Sequence, residues 1–157
     1  MNILFVCKYN RFRSRVAERY FNKINKNKHF KAVSRGVVRG DYPLNKTEVN
    51  AARKFGIDIS GRPKGLDIEL LKRTDLVVIV ADNVPKEVFY TTFKGRIILW
   101  RVRDIEHGDR KDLIERKIKR IMGQVRKLLK MLEKESFRRK IQLQKEKAKE
   151  DHLNHGK

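Results

Sequence analysis

Two runs, "ILFVC" at residues 3–7 and "LVVIVA" at residues 76–81, are apolar at every position. A strand with one face in water alternates apolar and polar side chains. A run that is apolar on both faces therefore has to be covered on both sides, as the strands of a parallel sheet are. Residues 2–7 and 75–81 are read as such strands, with shorter ones at 30–36 and 96–100. Between them lie stretches with helical spacing. Val16, Ala17, Tyr20, Phe21 and Ile24 form the first, with Ser14 as its N-cap, and 47–55 and 67–73 form two more. A short helix is expected after Pro85. Strands alternating with helices imply βαβ units with right-handed crossovers. In such sheets ligands bind beyond the carboxyl ends of the strands, at the switch point in strand order. The loop that begins at Cys7 is thus the default site.

The last third of the chain changes character. Ile114, Ile118, Ile121, Met122, Val125, Leu128, Leu129 and Leu132 fall on one stripe of a long helix. From residue 133 the sequence is polar and highly charged. We expect an α/β domain over 1–132 and a basic helical or disordered tail over 133–157. No stretch has the roughly 18 to 20 continuous apolar residues of a membrane span, and no secretory leader is apparent. A single cysteine precludes an internal disulfide and fits a reducing, cytoplasmic setting. The formal charge is +21, with +10 in residues 1–40, +2 in 41–110 and +9 in 111–157. Such a field suits phosphorylated substrates, nucleic acid or an acidic partner.

Four cations of that first surplus, Lys8, Arg11, Arg13 and Arg15, follow Cys7 within eight residues. Arg13 follows it after five residues and Ser14 comes next, a C-x5-R-S pattern between a buried strand and a helix. The chemistry of the pattern is compact. Cations and a helix N-terminus favour a thiolate, the reactive form of cysteine. The amides of Lys8, Tyr9, Asn10, Arg11 and Phe12 can curl into a nest for an oxyanion. A guanidinium matches two phosphate oxygens at once, and a serine hydroxyl can stabilise the sulfur as it departs. The four histidines, His29, His107, His152 and His155, have no metal-ligand spacing with the cysteine, and no metal or cofactor is implied.

"ILFVCKYNRFRSRVAE" resembles the start of the low-molecular-weight protein tyrosine phosphatases and their arsenate-reductase relatives. The likeness continues through "VSRG" (33–36), "GIDISGR" (56–62), "DLVVIVADN" (75–83) and Asp104 in "LWRVRD". The resemblance implies a flavodoxin-like, three-layer fold with a four-stranded parallel sheet in the order 2-1-3-4. It implies that Cys7 is a nucleophile forming a phosphocysteine, that Arg13 binds the phosphoryl oxygens and that Ser14 assists the leaving thiolate. Asn10 would pin the loop with Ser34 as its support. Asp82 and Asn83 would brace the site, and Asp104 would be general acid and then general base.

This chain departs from the pattern in several places. Tyr9 stands where the family has glycine; if that position needs a left-handed backbone, tyrosine costs about 1–2 kcal/mol. Phe12 replaces a second loop cysteine, Arg15 a helix-opening proline, Arg62 a histidine and Ile105 the proline after the acid. Tyr42, Tyr9 and Ile105 are the candidates for a substrate wall. Two other functions remain open at this point. One is a phosphatase-like fold that binds nucleic acid or another polyanion with weak or no turnover. The other is an arsenate reductase, which with one cysteine would need an external thiol.

Overall fold

The computed structural model describes residues 1–106 and 108–154. Four strands, β1 (Asn2–Cys7), β2 (Lys31–Gly36), β3 (Leu76–Val80) and β4 (Arg96–Trp100), pair in parallel in the order β2-β1-β3-β4. The two all-apolar runs are the two central strands, and burial is complete along Leu76–Val80. One sheet face carries Leu4, Val6, Val77 and Ile79 against Leu71, Phe89 and Phe93. The opposite face presents Phe5, whose ring centroid lies 5.9 Å from both Phe21 and Trp100. Burying a side chain of that size stabilises the fold by roughly 1.5–3 kcal/mol, so both faces of β1 are fixed tightly.

Helices α1 (Arg13–Ile24), α2 (Lys46–Arg53), α3 (Ile68–Lys72) and α4 (Lys111–Asn154) fill the connections, with one 3-10 turn at Lys86–Phe89. Asn45 caps α2 by accepting from the Thr47 amide, and Asp67 caps α3 by accepting from the Leu70 amide. α1 begins one residue earlier than Ser14 and its N-cap is Phe12, with no side-chain cap bond. Ser14 is therefore not a cap. Its hydroxyl is committed elsewhere, as described below.

The register joins Cys7 to Gly36 at the carboxyl end of the β1–β2 pair. Chain order reverses between β1 and β3, so the loop after β1 stands at the switch point. The chain divides into two compact units, Met1–Val125 and the part from Arg126 onward. In the first, α4 buries Ile114, Ile118, Ile121 and Val125. In the second, Leu128, Leu129 and Leu132 are buried while Phe137, Leu143 and Leu153 are exposed, and the helix continues without interruption to Asn154. Among the described residues no helix is long and apolar enough to cross a membrane.

Candidate active site

The loop Lys8–Phe12 is supported by the residues that follow β2 and by the segment 64–66. Val37 and Val38 donate their amides to the carbonyls of Cys7 and Lys8 at 3.0 and 2.9 Å. The segment 64–66 closes the other side, with Gly36 donating to Lys64 O and Leu66 donating to Gly36 O. A Cβ on Gly36 would lie 2.7 Å from the Tyr9 carbonyl carbon and 2.8 Å from the Asn10 nitrogen. Only glycine lets the end of β2 approach the loop this closely. That accounts for the glycine of "SRG".

Asn10 is the hub of the loop. It is buried, and its Oδ1 accepts from the Lys64 amide at 2.9 Å, which fixes the orientation of the side-chain amide. Its Nδ2 donates to Ser14 Oγ and Ser34 Oγ, both at 2.9 Å. Because Ser14 Oγ accepts there, its own proton is free to point at Cys7 Sγ, 3.0 Å away. Ser34 in turn donates to Glu18 Oε2 at 3.1 Å. The thiol thus ends a polarised chain running from Asn10 through Ser14. Among the described residues Asn10 is also the non-glycine residue with positive φ, 57°. The left-handed position is therefore Asn10, a residue type that tolerates it, and the strain expected at Tyr9 does not arise.

Among the described residues, no backbone amide from Tyr9 to Phe12 donates to a backbone carbonyl. Those N–H groups are available to an anion, and they precede the N-terminus of α1. The guanidinium of Arg13 is buried at 2 % exposure, and both of its terminal nitrogens have partners. Nη1 donates to Val102 O at 3.0 Å and lies 3.5 Å from Asp82; Nη2 contacts Asn83 Oδ1 at 3.1 Å and Asp104 Oδ2 at 3.0 Å. Asp82 and Asn83 thus grip Arg13, and the candidate acid lies directly against it.

Asp104 is held by its own surroundings too. Its Oδ1 accepts from the Ile105 amide, and Lys117 Nζ donates to its backbone carbonyl at 2.6 Å. Lys117 also pairs with Asp109 at 3.0 Å. The pocket over Cys7 is lined by Cys7, Tyr9, Arg11, Phe12, Arg13, Glu48 and Asp104, with free space of about 10 Å³, room for roughly one water. Tyr42 does not line it but stacks on Tyr9, with ring centroids 4.6 Å apart, and Arg11 lies over both rings at 5.4 and 5.9 Å. Lys8 lies over Tyr9 at 5.1 Å. Ile105 is not among the lining residues. Tyr9, Tyr42, Arg11 and Lys8 thus form an aromatic–cation cluster at the pocket.

Two features went unread in the sequence. Glu48, buried on α2, contributes a second carboxylate to the pocket. Burial pushes it up to about 7 and nearby Asp104 adds to the rise, while Arg11 and Lys117 oppose it. A signal was present: Glu48 shares the buried helix stripe with Ala51 and Ala52. Arg15, in place of a proline, is buried and donates from Nε to Ile59 O at 2.9 Å and from Nη2 to Ser60 O at 2.7 Å. It ties α1 to the "ISG" turn. His29 and His152 are exposed; His107 and His155 lie outside the described residues. Among the described residues no cluster of ligands for a metal ion occurs.

Comparison with known proteins agrees with this geometry. The family model described as low molecular weight phosphotyrosine protein phosphatase matches residues 2–142. No curated protein matches the chain. Among solved structures, the low molecular weight protein tyrosine phosphatase from T. tengcongensis is 28% identical, with a TM-score of 0.71 over 83% of this chain and 99% of that one. The arsenate reductase from Archaeoglobus fulgidus is 25% identical, with a TM-score of 0.66 over 81% and 98%. A mutant of the YwlE arginine phosphatase with a phosphorylated active-site serine is 22% identical, with a TM-score of 0.73 over 85% and 97%. Matched by the family model over nearly its whole length and carrying Cys7 and Arg13 in the loop after β1, this phosphatase-like hydrolase belongs to the low molecular weight phosphotyrosine protein phosphatase family.

Proposed function

We propose that the protein hydrolyses phosphomonoesters, phosphotyrosine among them, through a cysteinyl-phosphate intermediate. The observation that carries this reading is the convergence of Cys7, Arg13 and Asp104 on one pocket. A phosphoryl dianion entering the loop takes the donors of Arg13, so the Arg13–Asp104 pair opens and the Asp104 carboxyl is released towards the leaving oxygen. As the pair opens, the Cys7 thiol gives its proton to Asp104; Sγ then attacks phosphorus, the ester P–O bond breaks and Asp104 passes that proton to the departing oxygen. Water then attacks the S–P bond while Asp104 takes its proton. The sulfur leaves as a thiolate that accepts from Ser14, and phosphate is freed. Lys8 and the amides of Tyr9 to Phe12 form the oxyanion nest, and Asn10 and Ser34 keep its shape. Tyr42 supports the wall through Tyr9. The work is assigned to residues 1–132 and to the cytoplasm, with 133–157 as an appended basic tail.

The deciding experiment is metal-free hydrolysis of p-nitrophenyl phosphate under reducing conditions by wild type, Cys7→Ser and Asp104→Ala. Turnover lost in the first variant and strongly lowered in the second supports the two-step route. No turnover by wild type, with phosphotyrosine peptides tried as well, would leave a polyanion-binding module instead. One observation favours a second substrate class. A neutral phenyl ring gains nothing from the buried Glu48 carboxylate, whereas a cationic leaving group such as the guanidinium of phosphoarginine would pair with it. Comparing kcat/KM for phosphotyrosine and phosphoarginine peptides in wild type and Glu48→Ala separates the two: a loss confined to phosphoarginine supports this second reading.

A further inference from the structure

A separate cavity of about 180 Å³ lies on the far side of the Cys7 loop, lined by Asn10, Arg15, Glu18, Arg19, Ser34, Arg35, Gly61, Arg62 and Lys64. Five cations face one carboxylate. None of the five is needed by the chemistry proposed above. From what is on the walls, we propose that this cavity is a second anion site, which takes a phosphoryl dianion independently of the catalytic pocket.

Accounting for each charge leads there. Arg15 is 3 % exposed and spends Nε and Nη2 on two carbonyls. Its Nη1 has no partner among the described residues, and no enclosed side-chain nitrogen there is left unpaired, so Nη1 opens onto the cavity. Glu18, the one carboxylate of the lining, divides a single oxygen between Ser34 Oγ at 3.1 Å and Arg19 Nε at 3.3 Å. Arg62 is paired outside the lining, with Asp41 at 3.0 Å. Arg35 donates from Nη1 to its own strand at Ser34 O, at 2.7 Å. The ammonium of Lys64 has no partner among the described residues. The positive charge is thus in excess locally, and the Arg15 guanidinium is pushed below its ordinary value by burial first and by Arg19 second. The cavity, about 180 Å³ against about 10 Å³ over Cys7, has room for a tetrahedral anion. Charge-assisted donors such as Arg15 Nη1 and the Lys64 ammonium are what phosphoryl oxygens select.

The site borders the catalytic loop, since Ser34 and Lys64 also support Asn10. The side chains of Lys64 and Arg35 take no part in the hydrogen bonds of Asn10, so an occupant they hold leaves the loop's supports in place.

The occupant has two sources: free phosphate, which is the reaction's own product, or a second phosphoryl group on a substrate. Titration of wild type with inorganic phosphate at constant ionic strength, followed by amide NMR, tests the site directly. The amides of Ser34, Arg35 and Gly61–Lys64 should saturate on a curve of their own, apart from Tyr9–Phe12. In the double variant Arg19→Ala/Lys64→Ala that curve should weaken about tenfold or more. The loop's curve and basal p-nitrophenyl phosphate turnover should stay unchanged. Lys64→Glu, which reverses the charge on an accessible side chain, should abolish it. Singly and doubly phosphorylated peptides then separate the sources. A lower KM for the doubly phosphorylated peptide that disappears in the double variant assigns the site to substrate, and equal KM values assign it to free phosphate. If the cavity amides stay still, or follow the loop's curve and persist in both variants, the proposal is overturned.

Discussion

Two segments meet across the pocket, and they are built differently. The Cys7 loop is fixed by its own neighbourhood: the buried β1 beneath it, Gly36 pressed against it, and an asparagine whose side-chain oxygen and nitrogen are both hydrogen-bonded. The segment around Asp104 has little regular structure and the side chain is 35 % exposed. Its position depends on partners that are distant in sequence, chiefly Arg13 and Lys117. The nucleophile side is thus shaped before a substrate arrives, whereas the acid side rests on an ion pair that a phosphoryl group has to displace. Rigidity is spent where attack geometry matters, and freedom is kept where a proton changes hands.

The sharpest way to break this contrast is at sulfur. Cys7→Ser should remove turnover to background, a loss of roughly 10⁴-fold or more, because an unactivated hydroxyl is a poor nucleophile; steady-state hydrolysis measures it. Asp104→Asn comes next. It should lower kcat by about 10²- to 10⁴-fold with a phenyl ester, and the loss should shrink for esters with better leaving groups; equal losses for all esters would deny Asp104 the acid's role. Gly36→Ala sharpens the comparison from the rigid side. With backbone atoms 2.7 and 2.8 Å from the new methyl carbon, the loop has to shift, and about 10²-fold in kcat should go even though residue 36 touches no substrate.

The smallest effect concerns Glu48. Its pKa is raised in the folded protein, from 4.5 to about 7. Between those values the native state keeps a proton that the unfolded chain has lost, so stability declines as pH rises through the window. The contribution is whole below pH 4.5 and gone once the pH has passed about 7. Glu48→Gln should flatten this slope and leave the protein more stable above pH 7, by on the order of 1–3 kcal/mol. Urea denaturation at pH 5 and pH 8 reads it, and a slope unchanged by the substitution would show that Glu48 is not the titrating group.

How far the sequence could be read follows the same division. The sheet was legible because β1 and β3 declare themselves locally, as runs with no polar face. Cys7, Asn10, Arg13 and Ser14 were legible because one turn of chain holds them all. Ser14 was misread as a cap, since a serine at a helix start has that use by default; its sulfur partner becomes evident only when the turn is folded. The supposed strain at Tyr9 moved one residue on, to Asn10, because backbone sign is decided by how the loop closes on Gly36 and Lys64. Glu48 comes from across the fold, and no spacing relative to Cys7 announces it. In the sequence Arg15 is legible only as a departure from a helix-opening proline, because its burial depends on the Ile59 and Ser60 carbonyls more than forty residues away.

The Arg13–Asp104 pair has a consequence for anyone designing against this site. With free space for little more than a water, and with its guanidinium already paired, the resting pocket carries its own competitor. A ligand's entry therefore depends on outbidding a carboxylate at 3.0 Å. Bulk and hydrophobicity help little with that exchange. Two negative charges on one tetrahedral head are what tip it, so screening collections of neutral, drug-like molecules should return silence from a pocket that small phosphonates open.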